Sequence, residues 1–169
     1  MEATNGVLSA PLQQLKAEHR SLRANMDLFY EITEELEYES GPDVVQLFAK
    51  LYQLISSFTD KLKAHSKREE EGLFPMMARH LGENDRTIPT MEFEHEKAEQ
   101  HLQDFLTEAE IKGTALNETE AQWISVSAVQ AYTTLIQHFA NEEKVLFPFA
   151  ESILTVDEME ELGRLLQTR

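Results

Sequence analysis

The chain has 169 residues, of which 41% are hydrophobic and 27% charged, and these are the proportions of one globular domain of ordinary size in water. The absence of cysteine excludes disulfides, thiol catalysis, iron–sulfur clusters and zinc–thiolate sites, and the net charge of −16 disfavours binding to nucleic acid or anionic lipid. No apolar run approaches the roughly 20 residues of a membrane span, and the N-terminal residues lack a signal region, so we expect a cytoplasmic protein without a membrane partner.

Two long helices are predicted in the first half of the chain. Apolar residues recur at helical spacing from about Pro11, which is tolerated in a first turn, to about Tyr38. After a turn at residues 40–43, a second apolar stripe predicts a helix that runs past Glu71. Pro75 is expected to kink or end this helix, because proline lacks the N–H that would continue the hydrogen-bond ladder.

Two further long helices are predicted in the second half. The third begins at Thr87 and ends near Lys112. Asn117, followed by Glu120 three positions later, resembles a capping box at the start of a fourth helix, which runs to Pro148. No segment alternates convincingly with a period of two residues, so no strand is predicted.

A short final helix is predicted over residues 156–167, because Thr155 and Glu158 form a second candidate capping box. Connections of a few residues between the long helices favour antiparallel neighbours. The sequence therefore predicts an all-α fold, an up-down-up-down antiparallel four-helix bundle with a short C-terminal helix. We expect a single domain over residues 1–169, with the bundle core at about residues 9–152.

One pattern occurs twice in the chain. The motif H-x-x-x-E-E-x-x-L-F-P occupies residues 65–75 and residues 138–148, and a Glu-His pair stands at residues 18–19 and again at residues 94–95. Such duplication predicts one structural unit used twice. Since residues i and i+4 lie on the same face of a helix, the histidine and the first glutamate of each copy can point at one object.

Each of the four predicted long helices carries one histidine on its apolar stripe, and two of these bring a glutamate at i+4. A single histidine in such a place is more often a satisfied core residue than a ligand. Burying four imidazoles and two carboxylates without partners would cost several kcal/mol for each charged group, so the set together predicts a metal site. Mixed nitrogen and oxygen ligands suit iron, manganese or zinc. The predicted ligands are His19, His65, Glu69, His95, His138 and Glu142.

In this order, on a pattern of four helices, these motifs resemble the hemerythrin-like, or HHE cation-binding, family over roughly residues 12–148. The resemblance implies a non-haem di-iron centre inside the bundle, with an oxo or hydroxo group between the two irons, and zinc or manganese as possible substitutes. It also implies that each iron takes one pair of histidines and that two glutamates bridge the irons. The implied pairs are His19 with His65 and His95 with His138, and the implied bridges are Glu69 and Glu142.

Two departures distinguish the chain from the oxygen-carrying members of that family. Those proteins have H-x-x-x-H on the third helix, where this chain has Glu99 at the second position, and H-x-x-x-x-D on the fourth helix, where it has Glu142 at i+4 and Glu143 at i+5. The repeat favours Glu142 as the bridge. Glu99 has two interpretations, a seventh ligand at i+4 from His95 or a solvated glutamate.

The exchange of an imidazole for a carboxylate bears on function, because anionic oxygen stabilises ferric iron and reversible O2 carriage needs persistent ferrous iron. We therefore expect a di-iron module that binds or responds to O2, nitric oxide, peroxide or iron rather than a bulk O2 carrier, and no catalytic residue is assigned. One alternative is a di-iron enzyme that is peroxidase-like, handles nitric oxide or repairs iron–sulfur clusters. The repair proteins usually carry a cysteine-bearing N-terminal region, which this chain lacks. A bundle that holds zinc or another single ion for structure is the third possibility.

The remaining histidines and large aromatic residues are expected to lie outside the metal site. His101 is six residues past His95 and so faces away from it on the same helix, and His80 lies close to a predicted helix end. Both are therefore predicted to be surface residues. Tyr30, Tyr52 and Trp123 are expected in the core or at its boundary.

Overall fold

A computed structural model describes residues 7–38 and 43–167 of the chain. Helices form nearly all of these two ranges, and neither range contains a strand, which confirms the predicted all-helical class. No helix in the described ranges combines the length and the apolar character that a membrane crossing requires. The α-helices are α1 (Ala10–Tyr38), α2 (Asp43–Arg68), α3 (Phe74–Ala78), α4 (Thr87–Lys112), α5 (Glu118–Asn141), α6 (Phe147–Ile153) and α7 (Val156–Gln167).

Local sequence signals set several helix ends. Asn117 and Glu120 form the predicted capping box before α5, with each side chain accepting a hydrogen bond from the backbone N–H of the other residue. Thr155 and Glu158 form the same reciprocal pair before α7, again as predicted. Helix α4 ends where Gly113 takes a φ of 53°, a conformation that glycine adopts without steric cost. The predicted turn at residues 40–43 lies outside the described residues except for its last position.

The four long helices pack against one another around a shared interior. Helix α1 contacts α2 and α5, and helix α4 contacts the same two helices. Their buried apolar side chains form two separate clusters, one at each end of the molecule. Along α1, Leu15 belongs to one cluster and Leu22 to the other, with His19 between them. On α4, His95 likewise lies between Met91 of one cluster and Ala98 of the other, and α2 and α5 reach the second cluster through the segments that follow them, so the predicted ligands form a polar layer between two apolar ones.

A π-helical turn follows α2 and another follows α5, at equivalent places in the repeated motif. The first spans Glu69–Leu73 and the second Glu142–Leu146. In each turn the backbone N–H of the following phenylalanine bonds to the carbonyl of the first glutamate, one residue farther back than in an α-helix. Pro75 therefore does not end the helical run, because the widened turn absorbs the missing N–H and the chain stays helical to Ala78.

Helix α7 covers the first π-helical turn. The α-hydrogen side of Gly72 faces Leu162, and a methyl group placed there would lie 3.1 Å from Leu162 Cδ1. Tyr30 and Tyr52 are half-buried, as predicted for boundary residues. Trp123 is 66% exposed, so its assignment to the core or the boundary was wrong. Size and apolar character alone did not reveal that this residue lies on the outer face of α5.

Candidate metal centre

The polar layer between the two apolar clusters contains all six predicted ligands. Each of these side chains is buried, with exposed fractions between 0% and 2%. They come from the four long helices and from the first residues of the two π-helical turns. The side chains are His19, His65, Glu69, His95, His138 and Glu142.

These side chains form two groups that can each hold a metal ion. In each group, one ligand atom from every member lies within 4.8 Å of the others. Each group has two histidines and two glutamates, and the two glutamates are the same in both. The first group is His19, His65, Glu69 and Glu142, and the second is Glu69, His95, His138 and Glu142.

The two carboxylates lie between the two histidine pairs. Glu69 Oε2 is 3.3 Å from His65 Nε2, while its other oxygen, Oε1, is 3.0 Å from His95 Nε2. The oxygens of Glu69 thus face opposite halves of the site. Glu142 Oε1 is 3.0 Å from His138 Nε2 and 3.2 Å from His19 Nε2, so it also reaches both halves.

The unpaired atoms in this layer fit bound cations. Both carboxylate oxygens of Glu69 and of Glu142, and Nε2 of His95 and His138, are buried without a hydrogen-bond partner among the described residues. Such groups are costly between two apolar clusters unless a cation satisfies them. The separations of 3.0 to 3.3 Å also suit ligands of one ion, because atoms about 2.1 Å from a metal and about 90–105° apart lie about this far from each other.

Protons balance the charges of the layer in the metal-free protein. Burial opposes the charged form of His65, but Glu69 and Glu18 outweigh it and raise the pKa of His65 to about 9. Burial, reinforced by the neighbouring His65, lowers the pKa of His19 to about 4. Burial alone would raise the pKa of Glu69, but its histidine neighbours outweigh this effect, so the pKa of Glu69 lies well below the usual range. Burial and the Glu69 carboxylate raise the pKa of Glu142, so a proton shared by this pair favours Glu142 over Glu69.

A second set of carboxylates orients the four imidazoles. Each histidine directs Nε2 into the layer, and each Nδ1 meets a glutamate from a different helix or turn. A carboxylate on the outer nitrogen fixes the tautomer of a ligating imidazole and makes it a stronger ligand. The Nδ1 to oxygen pairs are His65 with Glu18 at 2.6 Å, His138 with Glu94 at 2.7 Å, His19 with Glu143 at 2.9 Å and His95 with Glu70 at 3.2 Å.

None of these four glutamates was among the predicted site residues. The sequence did carry a signal, since Glu18 and Glu94 precede the histidines of the Glu-His pairs, and Glu70 and Glu143 are the second glutamates of the two motif copies. What the sequence could not show is which histidine each glutamate meets. Within each motif copy the adjacent glutamates have different targets, one in the layer and one on a histidine of another helix.

The apolar residues that close the repeated motif also have a place at the site. Phe74 stacks on the ring of His95, with ring centres 5.5 Å apart, and Phe147 stacks on His19 at 5.6 Å. Phe139 covers the other side of His19, with its ring centre 4.2 Å away. These aromatic side chains exclude water from the imidazoles and restrict their rotation.

Glu99, His80 and His101 lie outside both candidate cation groups. Glu99 is half-buried and belongs to neither, so its assignment as a seventh ligand stays a prediction. Burial and the nearby Glu70 carboxylate raise its pKa. His80 is exposed and pairs with Glu158, whereas His101 is half-buried on α4. Neither histidine takes part in the polar layer.

Residues 10–150, most of the chain, match the family model described as the hemerythrin HHE cation-binding domain. The chain belongs to this family. A comparison of this HHE chain with curated proteins and another with solved structures found no match. The matched range contains both candidate cation groups and all four outer glutamates, so the family assignment covers the site just described. The extent of the domain beyond that range stays a prediction.

The two shared glutamates of the HHE domain are expected to respond differently to glutamine. Glutamine resembles a protonated glutamate, so Glu142→Gln should change the stability of the metal-free protein by less than about 1 kcal/mol. Glu69→Gln removes an ionised carboxylate that pairs with buried imidazolium groups, and it should cost about 3 kcal/mol or more. Both variants should lose metal binding, because each removes a shared ligand.

Urea unfolding of the two metal-free variants and of the parent chain checks this contrast. Equal unfolding midpoints for Glu69→Gln and Glu142→Gln would contradict the different protonation of the two carboxyl groups.

Proposed function

We propose that this chain holds a non-haem di-iron centre and binds or responds to a small ligand, namely O2, nitric oxide or peroxide. The observation that carries the proposal is that two groups of four ligands share Glu69 and Glu142. Two cations a few ångströms apart repel each other strongly, and two carboxylates between them offset that repulsion. Separate mononuclear sites would not need shared ligands.

The donor set is compatible with iron. Four imidazoles and two carboxylates give a mixed nitrogen and oxygen environment, which iron, manganese and zinc accept and which calcium and copper(I) do not favour. Bound iron would supply redox chemistry and open positions for a small ligand. The histidines would hold the ions, the outer glutamates orient the imidazoles, and the phenylalanine rings cover them.

We also infer that α1, α2, α4 and α5 run up, down, up and down. Contacts between the ends of α1 and α5 support this order. Leu36 near the end of α1 accepts a hydrogen bond from Gln122 near the start of α5, while His19 near the start of α1 meets Glu143 just after α5. Both contacts support an antiparallel arrangement of α1 and α5.

Metal analysis of the purified protein with an absorption spectrum tests the proposal. We expect about two irons per chain and near-ultraviolet bands of oxygen-bridged ferric iron. One zinc ion per chain without such bands would instead support a structural metal site. Repeated consumption of added peroxide or nitric oxide would support the alternative that the chain is a di-iron enzyme.

We predict that the di-ferrous protein will not serve as a stable O2 carrier. The four outer carboxylates make the ligating imidazoles stronger donors, and the anionic ligands between the ions favour the ferric state. Exposure of anaerobically reduced protein to air should therefore give progressive oxidation, followed by its absorption spectrum. Repeated cycles of O2 binding and release without loss of the ferrous form would contradict this prediction.

A further inference from the structure

The repeat makes the two halves of the centre alike in their ligands but not in their charge. On the His19 and His65 half, arginines neutralise both outer glutamates. Arg68 Nη2 is 2.8 Å from Glu18 Oε1, and its Nε is 3.1 Å from both oxygens of that carboxylate. Arg23 Nη1 is 2.6 Å from Glu143 Oε2. The outer glutamates of this half therefore add no net charge.

The His95 and His138 half lacks these counter-charges. Glu70 pairs with His95, and Glu94 pairs with His138. Among the described residues, neither glutamate forms an ion pair with a lysine or an arginine. Glu99 adds a third carboxyl group close to Glu70, with Lys63 in its vicinity but not in an ion pair with it. The outer glutamates of this half thus carry negative charge that no arginine of the described residues offsets.

We propose that the centre binds its two cations unequally, with the His95 and His138 position filled first and more tightly. This inference rests on the proposed two-metal function. A cation is attracted by uncompensated carboxylates and is repelled by nearby guanidinium groups, and charges on these side chains, which are only 17–37% exposed, are screened less than charges in water. Both halves offer the same types of ligand, two imidazoles and the two shared carboxylates, so the outer charges are the difference between them.

The weaker position also lies beside open surface. A cleft of about 220 Å³ borders the His19 and His65 half and is lined in part by His65, Glu18 and Arg68. A second cleft, of about 320 Å³, is lined in part by Arg23 and Glu143. Both arginine–glutamate pairs therefore border solvent.

Titration of the metal-free full-length chain with Mn²⁺, in competition with a chelating dye, measures both binding steps. We expect two ions per chain, with the first bound at least about tenfold more tightly than the second. Arg68→Gln and Arg23→Gln, made separately, should each tighten the second step by about tenfold and leave the first nearly unchanged. The matched control is Arg79→Gln, since Arg79 pairs with Glu158 on the surface and should leave both steps as they are.

Two ligand variants show which half of the centre is filled in each binding step. His19→Ala should retain one tightly bound ion, whereas His95→Ala should retain only weak binding. Two steps of equal affinity, or arginine variants that behave like Arg79→Gln, would overturn the inference while the binding of two ions still supports the proposed function. Binding of a single Mn²⁺ by the parent chain would overturn the proposed function itself. The two arginine variants need not both fold, since either one alone tests the effect.

Discussion

Replacing His65 by alanine is expected to leave about one ion per chain in the purified protein, and replacing His138, a ligand of the tighter position, is expected to leave less than one. Each histidine belongs to a different candidate group of four ligands, so each substitution leaves one group with a single imidazole. It also releases an outer glutamate, Glu18 or Glu94, which then faces the layer without its imidazole partner. Metal content of the variants, measured by elemental analysis beside the parent chain, checks the expectation.

His101→Ala is the matched control for these variants. His101 lies on α4, as does His95, but it belongs to neither candidate group. The control should therefore keep its full metal content, and circular dichroism should show similar helicity in all three variants. Equal metal content in His65→Ala, His138→Ala and His101→Ala would contradict the assignment of the ligands.

Removal of the metal by a chelator is expected to lower the thermal stability of the chain without removing its helices. A metal that binds only the folded state stabilises it by about 4 kcal/mol when the free metal concentration is about 1,000 times the dissociation constant. For a domain of this size, that corresponds to a fall in the melting temperature of roughly 8–16 °C. The physical cause is the set of buried ligand atoms, above all the oxygens of Glu69 and Glu142, that lack hydrogen-bond partners in the described part of the chain.

Glu142→Gln supplies the control for metal removal. This variant should lack bound metal while keeping nearly the stability of the metal-free parent, because the proton shared with Glu69 favours Glu142 in that parent. Its melting temperature should therefore not respond to metal or chelator. Identical melting of the parent chain with and without metal would show that the ions do not stabilise the fold.

Most of the helical structure was predictable because its signals are local. The capping boxes at Asn117 and Thr155 involve residues three positions apart, and Gly113 ends α4 through its own backbone conformation. The apolar stripes repeat every helical turn. Trp123 shows the limit of such signals, because a large apolar residue near an apolar stripe can still face solvent.

The six candidate ligands were also predictable, because the same spacing of histidine and glutamate occurs in both copies of the motif. The spacing of His65 and Glu69 fixes them on one helix face, and the second copy repeats it. The outer glutamates Glu18 and Glu70 were visible in the same motifs. Their partners are on other helices, however, and no spacing within one helix tells which histidine each will meet.

The sequence by itself determined the helices and the residues that the polar layer contains, because periodicity, capping and spacing act over a few neighbouring residues. Only the tertiary structure decided how those residues combine. It placed Glu69 and Glu142 between the two histidine pairs, and it brought Arg23 and Arg68 to one half of the centre. Contacts between helices depend on how whole elements pack, so residues far apart in the chain acquire their common role only when the bundle is assembled.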